Sequence, residues 1–67
     1  MKFEVKGEYI TLGQFLKVTD WISSGGEAKF AVKELDIHVN GESEDRRGRK
    51  LRAGDIVTVN DTKYELE

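Results

Sequence analysis

The strongest chemical signal in the chain lies between Gly41 and Asp55, in the stretch GESEDRRGRKLRAGD. Five of the seven residues from Arg46 to Arg52 are basic: Arg46, Arg47, Arg49, Lys50 and Arg52. The whole chain carries 11 lysines and arginines against 13 aspartates and glutamates, so nearly half of its positive charge sits in one short segment. Such a cluster suits a polyanion. Closely spaced phosphates hold a layer of condensed counterions, and basic side chains that neutralise them release those ions. Arginine is the better residue for this, because its planar fork takes phosphate bidentately and stacks on flat groups. The competing reading is a solvated loop charged for solubility, with Glu42, Glu44 and Asp45 satisfying the arginines inside the chain.

Other chemistry finds little support. Ser24 has no histidine placed to activate it and reads as a helix N-cap. His38, the sole histidine, alternates with apolar Ile37 and Val39 and belongs on the outer face of a strand. There is no cysteine, which removes any cysteine-based zinc site and fits a reducing compartment. The acidic residues are scattered, without the pairing that a glycosidase or an oxygen-ligated metal site needs. No cofactor and no catalytic residue is implied.

The elements that must position the basic segment follow from periodicity. Phe3 and Val5 alternate with Lys2, Glu4 and Lys6, which predicts a half-buried strand ending at Gly7. Thr11 and Gln14 have capping-box spacing ahead of a short helix from about Leu12 to Val18. Leu12, Phe15, Leu16 and Thr19 share one face of that helix, leaving Gln14 and Lys17 outside. A second start signal is SSGGEAK, with Ser24 as N-cap and Glu27 at its third helical position. In the helix that follows, Ala28, Ala31, Val32 and Leu35 form the apolar face, with Lys29 and Lys33 on one flank and Glu27 and Glu34 on the other. Phe30 lies opposite that face, either exposed or covered by another element such as the N-terminal strand. From Ile37 the period becomes two, Asn40-Gly41 gives a strong turn signal, and IVTV and KYEL read as later strands joined by Asn60-Asp61. Trp21 and Ile22 read as core, and Tyr9 and Tyr64 as edge residues of a small sheet.

At 67 residues the chain makes a single domain with a small core. The N-terminal MKFEVKGEYI lacks the pattern of a leader, and no apolar run approaches the roughly 20 residues that cross a bilayer. The expectation is a cytoplasmic monomer. Its net charge of −2 argues for binding oriented by one basic surface rather than for general adhesion to nucleic acid.

The order of these signals resembles the S4 RNA-binding domain family. The resemblance runs over roughly residues 10–59 and rests on S-x-x-E-A-K at Ser24 to Lys29, V-N-G at Val39 to Gly41 and G-D-I-V at Gly54 to Val57. With a strand ahead of the domain and the R-R-G-R-K insertion, the chain resembles the small stand-alone bacterial S4 proteins of the YaaA type. The resemblance implies an α+β fold, the αL motif: two short helices packed on a small antiparallel sheet, with the N-terminal strand added. It also implies a non-enzymatic protein that recognises structured RNA, such as ribosomal RNA, through a basic hairpin and a helix edge, with a part in ribosome assembly. Gly25 stands where the family usually carries an arginine after the serine, so Lys29, Lys33 and the basic segment would supply more of the affinity. The candidate RNA-binding residues are Lys17, Ser24, Gly25, Lys29, Lys33, Arg46, Arg47, Arg49, Lys50 and Arg52. Two other functions fit parts of the sequence. One is a protein-interaction domain whose basic loop takes an acidic partner. The other is a β-grasp sulfur carrier, which shares V-N-G and a late G-D-x-V but ends in Gly-Gly, whereas this chain reads KYELE.

Overall fold

Two sheets divide the strands unequally in the computed structural model, which describes all residues from Met1 to Glu67. The larger has five strands in the order β1-β7-β6-β3-β4, formed by β1 (Lys2–Phe3), β3 (Ile37–Val39), β4 (Glu42–Ser43), β6 (Ile56–Val59) and β7 (Thr62–Leu66). The smaller is a two-stranded ribbon of β2 (Ile10–Thr11) and β5 (Lys50–Leu51). Between β2 and β3 run α1 (Leu12–Val18), a 3₁₀ turn over Gly25–Glu27 and α2 (Ala28–Glu34). This is the α+β architecture that the sequence predicts.

The turns follow from local chemistry. Asn40 and Gly41 both take left-handed backbone angles (φ 53° and 84°), the requirement of a two-residue hairpin between β3 and β4. The Asn40 side chain then binds the neighbouring strand: its Oδ1 accepts from the Ile56 amide and its Nδ2 donates to Asp55. Asp55 in turn accepts from the Arg52 amide at 2.8 Å, which closes the A-G-D turn ahead of β6.

The added strand β1 lies parallel to β7, the one parallel pair in an otherwise antiparallel sheet. It makes β7 an interior strand, and this corrects the expectation for Tyr64. That residue is buried and not at an edge; Trp21 Nε1 donates to its hydroxyl at 3.0 Å, satisfying the one polar atom of each ring that needs a partner.

Helix α1 begins as predicted. Thr11 Oγ1 accepts from the Gln14 amide and Gln14 Oε1 accepts from the Thr11 amide, so both halves of the capping box form. The helix ends with Asp20 in the left-handed region (φ 66°), where the Asp20 amide reaches Lys17 and the Trp21 amide reaches Leu16. Its apolar face seats Phe15 at the centre of the core, in edge-on contact with Phe3 and Tyr64 at 5.0 Å each. Leu12 and Leu16 of α1, Ala28 and Val32 of α2 and the inward residues of β3, β6 and β7 complete one continuous cluster.

The start of α2 differs from the expectation. Ser24 makes no capping bond; Glu27 reaches back instead to Ser23, taking its amide at 3.0 Å and its hydroxyl at 2.9 Å. Gly25 and Gly26 let the chain tighten into a 3₁₀ turn, and the Glu27 carboxylate pairs with Ser23, one residue earlier, with no serine hydroxyl accepting an amide in return. The hydrogen bonds from Ser23 hold the Glu27 carboxyl below its usual range. Phe30, left between two outcomes by its position, is exposed, with Lys29 Nζ 5.0 Å from its ring centroid.

Candidate nucleic-acid interface

The basic segment is not a hairpin. Its flanking strands join different sheets, β4 pairing with β3 and β5 with β2, so no ladder links the two limbs. What shapes it is one carboxylate. The side chain of Glu44 is 5 % exposed and accepts from Arg46 Nε at 2.9 Å, Arg46 Nη2 at 3.1 Å, Arg49 Nη1 at 2.8 Å and the Arg46 amide at 3.1 Å. A carboxylate buried this far persists only when its oxygens are paired, and here they are. The Arg46 side chain lowers the Glu44 carboxyl most, burial pushes the other way, and Arg49 and the Arg46 amide add to the lowering, leaving it at about 2. The same contact raises the Arg46 guanidinium above its ordinary range.

Backbone bonds fix the other end of the segment. The first amides of α1, on Leu12 and Gly13, have no partner inside the helix. They donate to the carbonyls of Arg49 at 2.8 Å and Arg47 at 2.9 Å. Gly13 eases this approach. A Cβ there would stand 3.2 Å from the Ala28 side chain and 3.4 Å from the Arg47 carbonyl, so α1, α2 and the basic loop converge on a position where a side chain would push its neighbours back by a few tenths of an ångström.

The predicted site residues therefore separate into groups. Arg46 and Arg49 hold Glu44, although the Arg46 side chain stays 71 % exposed and keeps donor capacity for a ligand. Arg47, Lys50 and Arg52 form no ion pair with any carboxylate, and neither do Lys17, Lys29 and Lys33. Lys17 and Arg47, thirty positions apart in sequence, meet in one groove whose other walls include Gly25, Gly48, Thr11 and Gln14. No acidic residue lines it. Lys33 faces a different groove, shared with Glu34, Asp36, Glu44 and Asp45, whose carboxylates oppose an anionic ligand. Lys29 lies one helical turn before Lys33 on the same exposed flank. Ser24 is exposed beside Gly25 with a hydroxyl that caps nothing.

Sequence reasoning missed two residues that matter here. Glu44 enters there only as one of three acidic neighbours; burial singles it out, and burial is set by long-range packing. Tyr9 reads as an edge residue, yet Lys50 and Arg52 both lie over its ring, an arrangement that depends on the pairing of β2 with β5.

Groups of histidine, cysteine, aspartate or glutamate with metal-holding geometry are absent, and no helix is long and apolar enough to cross a membrane. Among known proteins, the chain is 56 % identical over 52 residues to "Probable ribosome maturation protein RlbA" of Bacillus subtilis (strain 168), covering 78 % of this chain and 73 % of that protein. It is 36 % identical over 53 residues to "Putative RNA-binding protein YbcJ" of Escherichia coli (strain K12), covering 79 % of this chain and 76 % of that one. The model of the S4 domain family matches residues 3–67, so with its two helices, its added strand and its R-R-G-R-K loop this chain belongs to the S4 domain family.

Proposed function

We propose that this protein is a non-enzymatic RNA-binding module that grips structured RNA by its phosphates and acts in ribosome maturation, with ribosomal RNA as its ligand. Lys17 and Arg47 form the centre of the site. The exposed face of Arg46 and the pair Lys50 and Arg52 extend it, and the amides and hydroxyl of Ser24 and Gly25 border it. Lys29 adds charge at the helix edge, whereas Lys33, among carboxylates, contributes least. Arg49 serves the site by holding the loop.

The observation that carries this reading is the groove itself. On a chain of net charge −2, two cations from distant segments converge on walls free of carboxylates. A-form RNA hides most of its base edges, so regularly spaced phosphates are what a rigid cationic surface can grip. The names of the Bacillus subtilis and Escherichia coli relatives point the same way.

The test is binding to ribosomal RNA stem–loops across a salt series. With about four phosphates neutralised, affinity should fall roughly 100-fold between 50 and 200 mM salt, following counterion release. A double variant, Lys17→Glu with Arg47→Glu, should lose at least that much affinity at fixed salt while its thermal unfolding stays unchanged. Unaltered binding in that variant would overturn the assignment and favour a basic loop that serves an acidic protein partner.

A further inference from the structure

Tyr9 is the aromatic residue with two free cations over its ring, and the backbone places it there. The β2–β5 ladder pairs Ile10 with Leu51 and Thr11 with Lys50, and the same register carried one residue further sets Tyr9 opposite Arg52. Lys50 Nζ lies 5.0 Å and Arg52 Cζ 5.7 Å from the ring centroid. Tyr9 is 41 % exposed, so it is not a core residue. It lines an open groove together with Phe3, Ile10 and Val18, and Gln14 and Lys17 complete the wall. Gln14 and Lys17 also line the groove of Arg47, so the apolar groove and the phosphate groove meet along those two residues. Lys6 and Glu4, likewise in the apolar groove, offset one another in charge.

We propose that Tyr9 and its groove form a subsite for one unpaired base of the bound RNA, an inference that rests on the RNA-binding reading above. A nucleotide is a flat, largely apolar ring joined to an anion, and this surface offers a matching pair of features. An aromatic ring and aliphatic walls lie beside Lys17, Lys50 and Arg52. Before RNA arrives the two cations rest over the ring, where the π-electrons attract them. On binding they turn to the phosphates flanking the base, and the base takes contact with the tyrosine. A base inside a duplex is already stacked and cannot enter, so the preferred RNA carries a loop or bulge next to a helical stem. The module thereby gains selectivity for a junction between paired and unpaired RNA, which phosphate contacts alone do not give.

The experiment compares an RNA stem–loop carrying 2-aminopurine in its loop with a blunt duplex of equal phosphate count. The wild-type protein should bind the stem–loop more tightly and change the 2-aminopurine fluorescence. Tyr9→Ala should weaken the stem–loop by about 5- to 100-fold, the range that one base–aromatic stack supports, and abolish the fluorescence change. Its affinity for the duplex and its salt dependence should stay as in the wild type, which also reports that the variant is folded. Tyr9→Phe should retain the wild-type preference. A Tyr9→Ala effect that is equal on both RNAs, or absent on both, would overturn the proposal. So would a Tyr9-dependent dimer seen by sedimentation without RNA, since a second copy would then occupy the groove. Failure of the wild-type protein to bind either RNA at low salt would reject the RNA-binding reading itself.

Discussion

Arg46 and Arg49 differ from Arg47, Lys50 and Arg52 in what holds them, although all five belong to one basic run. The first two close on a buried carboxylate, whereas the side chains of the other three form no ion pair with any carboxylate. A count of positive charges treats these residues alike. One acidic residue divides them into a pair that makes the loop rigid and a set that is free to meet an anion. A similar division separates the lysines of the helices: Lys17 shares with Arg47 a groove without carboxylates, and Lys33 lines one with several.

The most severe way to break the comparison is to remove the carboxylate. Glu44→Ala leaves Arg46 and Arg49 without their partner and should cost about 3 kcal/mol in denaturant unfolding, the low end for a broken buried pair because both guanidinium groups retain access to water. An unchanged unfolding midpoint would mean that the loop holds its shape without Glu44. A related effect should appear with pH. The Glu44 carboxyl sits near 2 in the folded chain against an ordinary value of 4.5. Its folded value is depressed, so its stabilising contribution is complete above about pH 5 and is lost as pH falls toward 2. Up to about 3 kcal/mol should disappear across that window, and Glu44→Gln should flatten this part of the stability curve.

A paired substitution sharpens the contrast. Arg47→Ala should weaken RNA binding about tenfold with no loss of stability, while Arg49→Ala should cost about 1–2 kcal/mol of stability through the orphaned bond to Glu44. Equal behaviour of the two would erase the distinction. The smallest effect is expected at Lys33→Ala, less than about twofold in affinity by filter binding, because neighbouring carboxylates already oppose phosphate there.

What was legible in the sequence depended on range. The first helix could be read to the residue because Thr11 and Gln14 lie three apart and bond only each other's backbone. The second was displaced at its start because two serines precede the glycines, and the sequence offers no rule for which of them Glu27 reaches. Family motifs exposed the architecture and the basic surface. The β2–β5 pairing was hidden, since two strands of two residues each leave no periodicity to detect. With it were hidden the placement of Tyr9 and the reason that the basic segment cannot be a hairpin. Tyr64 was misplaced for a similar reason: its neighbour on one side comes from the opposite end of the chain.

The bonds from the Leu12 and Gly13 amides to the loop carbonyls have a consequence for recognition. Together with the Glu44 clamp they fix the main chain of the cationic segment before any ligand approaches, so association has side-chain freedom to restrain but no coil to organise. Residues 47, 48, 50 and 52 hang from a frame that other positions maintain, and that frame could display a different set of side chains, and so select a different polyanion, without being rebuilt.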